Sequence, residues 1–367
     1  MLAHARLPLL HRRHRQLQGR GWVSSFSWWD GWWYVGIARH GYAYYHPGSQ
    51  SPVAFFPLYP LVMRGVGRIT NGPLVAGFLL TVTCGLGAAV AFHQWSVKTL
   101  GPARARLAVL LLLLYPFAFY LMGAVYADAL FLLAAVAAFL AFEHDRPVIA
   151  GVAAALATAA RPVGVAVVVG LWVLALERRG VLARIRSGPV ASGRARWSRF
   201  FTADAGLLMA PLGLVGYCGF LWARFRRPFA FLDTAGDKGW DQPAGFHTWF
   251  KVHWIKAMWH GPWNDGHFGH LAVNALATII VVAFIPAVFR RLGMGYGAFV
   301  VIAVVATAVS TKDFVGMGRY TLAAFPCFAV AADVLVDRPR MTRVVLVAGA
   351  AGLVMLAQLH ARGAIIS

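Results

Sequence analysis

The feature that most constrains the fold is a succession of apolar runs separated by short arginine-rich blocks. Hydrophobic residues make up 59% of the 367 positions, and the mean hydropathy is +0.63. Such a composition is far too apolar for a soluble domain of this length. The sequence therefore predicts an all-α polytopic membrane protein. Ten runs of spanning or near-spanning length cover residues 73–95, 104–123, 126–142, 148–160, 163–176, 203–222, 270–289, 295–310, 320–336 and 343–360.

The net charge of +21 would suggest a nucleic-acid partner in a soluble protein. Here the arginines stand between apolar runs, which is typical of cytoplasmic loops. We therefore expect no nucleic-acid partner. The three cysteines fall inside apolar runs and are expected to be small core residues. Residues 1–20 are basic without an apolar stretch, so no cleavable signal peptide is visible.

The distribution of charge predicts the topology. The runs 148–160 and 163–176 are separated only by Arg161-Pro162, so they are either one kinked helix or two short ones. All the basic blocks lie on the cytoplasmic side only if there are two helices, which then meet near the outer surface. The blocks are Lys98 to Arg106, Arg178 to Arg199, Arg290-Arg291 and Arg338 to Arg343.

This topology gathers a set of polar segments on the extracytoplasmic face. The two long loops there are 24–72 and 223–269, within a single membrane domain that covers residues 1–367. We expect the outward-facing segments to form one polar cavity. The acidic residues assigned to this face are Asp30, Asp128, Asp233, Asp237, Asp241, Asp265 and Asp313.

One feature of the N-terminal region does not fit this topology. No apolar run precedes Asp30, and the basic residues 1–20 would prefer the cytoplasm. Either a first transmembrane helix is missing from the given start, or residues 1–20 lie on the outer surface. We expect a missing helix.

Asp30 is the only carboxylate in the first 127 residues and stands in the run "WWDGWWYVGIARHGY". Tryptophans alone are typical of an interfacial anchor. A carboxylate in their midst has no place in an anchor, and apolar neighbours raise the basicity of a carboxylate. That property suits a general base that accepts a proton from a hydroxyl group. We therefore predict a functional role for Asp30.

Two further charged residues, Asp128 and Arg161, stand at the outer ends of apolar runs. Burying either charge among lipid tails is costly, so each is expected to face a cavity or a partner. Asp128 could instead be an acid that stabilises a helix N-terminus, and Arg161 a side chain that reaches the interface.

Two amphipathic segments complete the outer face. Pro57 and Pro60 interrupt residues 51–70, which predicts a helix lying at the interface instead of a span. The loop 223–269 carries several histidines and tryptophans. Metal binding is conceivable there, but an amphipathic surface segment is favoured because the histidine spacing matches no strong metal motif.

The quoted run and "AFFPLYPL" after it resemble motifs of the bacterial PIG-V-type mannosyltransferases. Three later segments are similar to that family's motifs and occur in the same order. They are "AVYADALFLLAAVAAFLAFE", "AGVAAALATAARPVGV" and "MGRYTLAAFPCFAV". The sequence departs from the family pattern at Asp128, where glutamate is usual, and at Ala160, where threonine is usual.

The resemblance implies a membrane glycosyltransferase of the GT-C type, with about 10–11 transmembrane helices and the catalytic acid on the first extracytoplasmic loop. It implies a polyprenyl-phosphate sugar donor, usually mannose, in the bacterial inner membrane. Asp30 would deprotonate the acceptor hydroxyl in an inverting single displacement. Arg161 or Arg319 would neutralise the departing phosphate. His40, Tyr42, Trp33 and Asp128 are the remaining candidate substrate-binding residues, and the sequence requires no metal.

Other functions stay open at this stage. Another lipid-linked sugar could replace mannose, and the acceptor could be a glycolipid, a lipoglycan or a protein. A lipid or glycolipid transporter would also place charges in a membrane cavity, but the inverted repeats typical of transporters are not found. A non-catalytic scaffold would not need Asp30.

Overall fold

The structure, a computed structural model, describes residues 22–45, 49–182, 204–236, 240, 242, 245–261 and 267–366, and these contain no β-strand. Residues 1–21, before which a missing helix was expected, and residues 183–203 lie outside the described residues. The α-helices are α1 (Asp30–His40), α2 (Leu58–Val66), α3 (Pro73–Leu100), α4 (Pro102–Leu113), α5 (Phe119–Met122), α6 (Asp128–Glu143), α7 (Pro147–Ala160), α8 (Val165–Arg178), α9 (Leu212–Phe225), α10 (Ala230–Ala235), α11 (Phe246–Trp249), α12 (Val252–His260), α13 (His267–Leu292), α14 (Met294–Val300), α15 (Thr307–Ser310), α16 (Met317–Tyr320), α17 (Phe325–Leu335) and α18 (Pro339–Ala361).

Four helical segments among the described residues are long and apolar enough to cross a membrane by themselves. The prediction of an all-α polytopic membrane protein is confirmed. Several other apolar runs form shorter helices. In the run 104–123, helix α4 ends at Leu113, shortly before Pro116, because a proline cannot continue a helix. The four long segments are Pro73–Leu100, Ala205–Phe225, Gly269–Leu292 and Pro339–Ala361.

The segment around Arg161 forms two helices, as predicted. Arg161 has an extended backbone, with φ −154° and ψ 150°, which is the conformation that a following proline favours. A 3₁₀ turn over Pro162–Gly164 then leads into α8. Arg161 binds Asp128 at one end of α6, whereas Arg178 at the end of α8 binds Glu143 at the other end of α6. The chain therefore reverses its direction at Arg161.

Residues of three basic blocks lie at one end of the molecule. Arg178 pairs with Glu143 there, and Arg104 and Arg291 both pair with Asp333. These contacts join α4, α6, α8, α13 and α17 at the end opposite to Asp128. Arg104, Arg178 and Arg291, which come from three of the basic blocks, thus lie at the same end of the bundle.

Helix α1 lies between α2 and the turn that precedes α6. The Arg64 guanidinium of α2 donates hydrogen bonds to the backbone carbonyls of Ala38, at 2.7 Å, and Ile37, at 3.3 Å. A cation at this position bonds to carbonyls of the last turn of the helix and complements the helix dipole. Helix α2 has only nine residues, so residues 51–70 do not form a span, as their prolines predicted.

Candidate active site

Four charged side chains from distant parts of the sequence meet at the end opposite to the basic blocks. Asp30 Oδ2 accepts a hydrogen bond from Arg319 Nη1 at 2.8 Å. Asp128 Oδ1 pairs with Arg161 Nη1. Asp128 Oδ2 also lies 4.0 Å from Arg319 Nε, which joins the two pairs into one cluster. We call these four residues the charge cluster.

Asp30 opens α1 and is the most accessible member of the charge cluster. Its side chain is 28% exposed, compared with 10% for its partner Arg319. The preceding residue, Trp29, has a φ of +58°, a conformation that a bulky residue rarely adopts. The Asp30 amide donates to the Tyr126 hydroxyl, which in turn donates to the Trp28 carbonyl. These contacts hold a carboxylate at the open edge of an otherwise closed site.

Asp128 opens α6 and is almost fully buried, with a side chain 3% exposed. Its negative charge stands at the helix N-terminus, where the dipole stabilises it. The Arg161 side chain is also buried, and a buried ion pair is tolerated only when each charge keeps its partner. Asp128 is therefore held by Arg161 and is not available as the accessible carboxylate.

Aromatic rings enclose both guanidinium groups. The Tyr320 ring centre lies 4.6 Å from the Arg161 guanidinium carbon and 5.2 Å from that of Arg319. The Tyr126 ring centre lies 4.9 Å from Arg319. Such stacking stabilises planar cations away from water.

Arg319 stands on the short helix α16, whose position is fixed by its neighbours. The Gly318 amide donates to Asn274 Oδ1 at 2.7 Å. A side chain at position 318 would collide with the Phe117 ring, because an added Cβ would lie 2.1 Å from it. The Arg319 Nε atom is buried and makes no hydrogen bond with another described group. Part of the donor capacity of this guanidinium therefore remains unused.

The structure places the other predicted site residues at different distances from the charge cluster. Trp33 stacks on Phe55 with ring centres 5.8 Å apart. The Tyr42 hydroxyl donates to the Phe55 carbonyl at 2.7 Å, so it is already engaged. His40 is exposed at the far end of α1, about 15 Å along the helix axis from Asp30.

Sequence reasoning gave no role to the two tyrosines that surround the guanidinium groups. Tyr126 lies two positions from Asp128 and Tyr320 lies next to Arg319, both members of the charge cluster. This closeness in sequence was the available signal for a role of the two tyrosines. The sequence pattern likewise indicated only an interfacial position for Trp28 and Trp29. Their indole N–H groups instead donate to the backbone carbonyls of Ala361 and Ala364, both at 3.2 Å.

A metal site would need several His, Cys, Asp or Glu side chains close together. Within the described ranges, no three His, Cys, Asp or Glu side chains come close enough to hold a metal ion together. The acids Asp237, Asp241 and Asp265 of the long loop lie outside those ranges. The described chemistry of the site is that of two carboxylates, two guanidinium groups and aromatic rings.

The described residues thus form a helical bundle with two carboxylate–guanidinium pairs at one end. Residues 16–179 match the family model for mannosyltransferase (PIG-V). This match agrees, over those residues, with the family resemblance stated for the sequence. None of the curated proteins compared with the chain matches it.

The fold is similar to that of solved glycosyltransferase structures. ArnT from Cupriavidus metallidurans, bound to undecaprenyl phosphate, aligns with a TM-score of 0.53 and 14% identity over 92% of this chain and 61% of that one. The chain thus spans about three fifths of that protein. An oligosaccharyltransferase from Archaeoglobus fulgidus, in complex with Zn and sulfate, aligns with a TM-score of 0.47 and 12% identity over 94% of this chain and 49% of that one. The similarity to ArnT confirms the predicted GT-C-type fold.

Proposed function

We propose that the protein transfers mannose from a polyprenyl-phosphate donor to an acceptor hydroxyl group on the extracytoplasmic side of a bacterial inner membrane. The whole chain, residues 1–367, acts as one integral membrane domain in this proposal. The observation that carries it is the position of Asp30. It is the accessible carboxylate of the charge cluster, and its partner is a guanidinium that can bind phosphate.

The proposed reaction is a single displacement. The acceptor hydroxyl loses its proton to Asp30 while its oxygen forms a bond with the anomeric carbon of the donor sugar. The bond between that carbon and the phosphate oxygen breaks, and polyprenyl phosphate leaves from the opposite face. The anomeric configuration is therefore inverted. A double displacement would need a second carboxylate free to attack the sugar, whereas Asp128 is buried and paired with Arg161.

The pairing of Asp30 with Arg319 supports an order of events. In the structure Arg319 Nη1 donates to Asp30, and among the described residues its Nε makes no hydrogen bond. A donor phosphate that reaches this guanidinium competes with the carboxylate for its N–H groups. Asp30 is then free to accept the proton from the acceptor. Donor binding thus prepares the base, and the base stays occupied while no donor is present.

The Asp128–Arg161 pair has a supporting role in this mechanism. The guanidinium carbons of Arg161 and Arg319 lie 4.6 Å and 5.2 Å from the centre of the same Tyr320 ring, so Arg161 places positive charge close to Arg319 while it stays bound to Asp128. Positive charge fixed in advance stabilises the phosphate as it leaves, and it requires no rearrangement during the reaction. The polyprenyl chain would lie in lipid against the apolar outer faces of the helices.

The direct test is transfer of label by the purified full-length protein in lipid. Polyprenyl-phosphate mannose with a radiolabelled sugar is incubated with the protein and a membrane extract, and the labelled product is identified. The proposal expects transfer by the wild type and loss of transfer by Asp30→Asn. Asp233→Asn is the matched control, because Asp233 is an acid of the outer loops that is 46% exposed. Absence of labelled product with the wild type would refute the mannose donor, and equal transfer by the two variants would refute the role of Asp30.

A further inference from the structure

One backbone segment lies against both sides of the charge cluster. Helix α18 ends in a turn in which the Ala364 amide donates to the Leu359 carbonyl and the Gly363 amide to the His360 carbonyl. Gly363 has a φ of +84°, so the pattern is a Schellman motif closed by glycine in the left-handed region. Three carbonyls of this turn and the residues after it, those of Ala361, Ala364 and Ile366, accept hydrogen bonds from side chains near the site. We call residues 361–366 the clasp segment.

The clasp segment is bonded to the Asp30 turn. Trp28 Nε1 donates to the Ala361 carbonyl and Trp29 Nε1 to the Ala364 carbonyl, both at 3.2 Å. The Trp28 ring also covers Gly363, where an added Cβ would lie 3.2 Å from the ring. Trp29 has the positive φ that immediately precedes Asp30. A conformation of this kind persists only where surrounding contacts impose it, and the indole bonds supply such contacts.

The clasp segment is bonded to the Arg319 turn as well. Asn274 is fully buried, and its Nδ2 donates to the Ile366 carbonyl at 2.8 Å. The other end of the same amide, Oδ1, accepts from the Gly318 amide at 2.7 Å. Ile366 is itself buried. One amide group therefore connects the clasp segment with the residue that precedes Arg319.

We propose that the clasp segment is a positioning element of the active site, which fixes Asp30 and Arg319 relative to each other through Trp29 and Asn274. The proposal rests on the proposed function of Asp30 and Arg319. The two residues are far apart in the sequence, and a bond between carboxylate and guanidinium depends closely on their separation. A rigid backbone element bonded to both turns sets that separation. Trp29 and Asn274 are positioning residues, since neither contacts the reacting groups.

The first test removes one bond at a time in the full-length protein. Trp29→Phe removes the indole N–H, with Trp22→Phe as control because Trp22 is exposed. Asn274→Asp keeps the acceptor for Gly318 but loses the amide N–H groups that donate to the carbonyls of Ile366 and His270. Its control is Thr278→Ala, which removes a hydroxyl bond within the same helix α13. We expect kcat to fall roughly tenfold to hundredfold in each test variant, since small displacements of reacting groups have effects of this size. The controls should stay near wild type.

The double variant, Trp29→Phe with Asn274→Asp, tests whether the two bonds act through the same element. Its loss in kcat should be clearly smaller than the product of the two single losses, because residues in one network are not additive. Fully multiplicative losses would overturn the proposal. Unchanged kcat per folded protein in both single variants, with only a lower thermal midpoint, would also overturn it, because it would reduce the bonds to a role in stability.

A second measurement does not depend on catalysis. Hydrogen exchange of the full-length protein in lipid is followed for peptides that cover residues 28–34 and 316–322. Asn274→Asp should accelerate exchange in the first peptide and Trp29→Phe in the second, each at a distance from the substitution. Independent exchange of the two peptides would overturn the clasp even if mannose is transferred. Coupled exchange without any transfer would retain the clasp and refute only the proposed function.

Discussion

The two ends of the bundle both carry ion pairs, but they hold them in different ways. At the basic end the guanidinium groups of Arg104 and Arg291 are each 42% exposed. At the other end Arg161 and Arg319 are 8% and 10% exposed, and they are enclosed by tyrosine rings. Exposed pairs contribute only about 0–1 kcal/mol, whereas removal of one partner from a buried pair costs about 3–5 kcal/mol.

We assign the exposed charges of the basic end to topology and the buried charges of the other end to the proposed chemistry. The basic end needs positive residues in sufficient number, and their individual geometry matters little. The charge cluster instead brings two carboxylates and two guanidinium groups out of water and leaves one of them, Asp30, accessible. Buried charges in a membrane protein are costly and are typical of functional sites. The following predictions test this contrast.

The largest expected effect is an all-or-none difference in topology. Gln50 lies in the loop 24–72, which also contains Asp30, whereas Asp145 lies at the basic end of the bundle. Both side chains are exposed. Single cysteines are introduced at these positions after replacement of the three native cysteines. Gln50→Cys should react with a membrane-impermeant maleimide in intact cells, and Asp145→Cys should react only after the membrane is opened. The reverse pattern would show that the proposed orientation is wrong.

Asp30→Asn should reduce sugar transfer by about 10²–10⁴-fold, the usual contribution of a general base. The amide keeps the shape of the carboxylate and can still contact Arg319, but it cannot accept the acceptor proton. Donor binding should therefore persist. Turnover and donor binding are measured on the same purified variant, and near-normal turnover would remove Asp30 from the mechanism.

Arg161→Gln and Arg104→Gln compare the two ends directly. Loss of Arg161 leaves the Asp128 carboxylate buried without its partner, so we expect a loss of about 3–5 kcal/mol in stability. Loss of Arg104, whose side chain is 42% exposed, should cost no more than about 1 kcal/mol. Unfolding of the purified proteins in detergent gives both values. Equal losses would contradict the contrast between the ends.

The smallest effect concerns the donor. Arg319→Lys should raise the KM for the donor about tenfold, equivalent to about 1.4 kcal/mol of binding, because lysine cannot present the two parallel N–H groups of a guanidinium. Arg291→Lys at the basic end is the control and should leave the KM unchanged. Steady-state kinetics with varied donor concentration measure both. An unchanged KM in Arg319→Lys would place the phosphate elsewhere.

Several parts of the fold and the site could be predicted because they depend on local patterns. The apolar runs predicted most of the long helices, and Pro162 predicted the extended backbone at Arg161. The isolated acid among tryptophans singled out Asp30, which the structure places at the open edge of the charge cluster. The lengths of individual helices were less predictable. An apolar run can continue past a proline such as Pro116, whereas the helix ends before it.

What the sequence by itself determined is the membrane character of the chain, the reversal at Arg161 and the identity of the candidate acid. Hydropathy, charge bias and proline geometry act over a few to about twenty residues, so they can be recognised without knowing the fold. Only the tertiary structure decided that Asp30 pairs with Arg319, 289 positions away, and that the tryptophan indoles bond to residues 361 and 364. Those contacts depend on how the helices pack against one another, and no local pattern encodes which distant groups will meet.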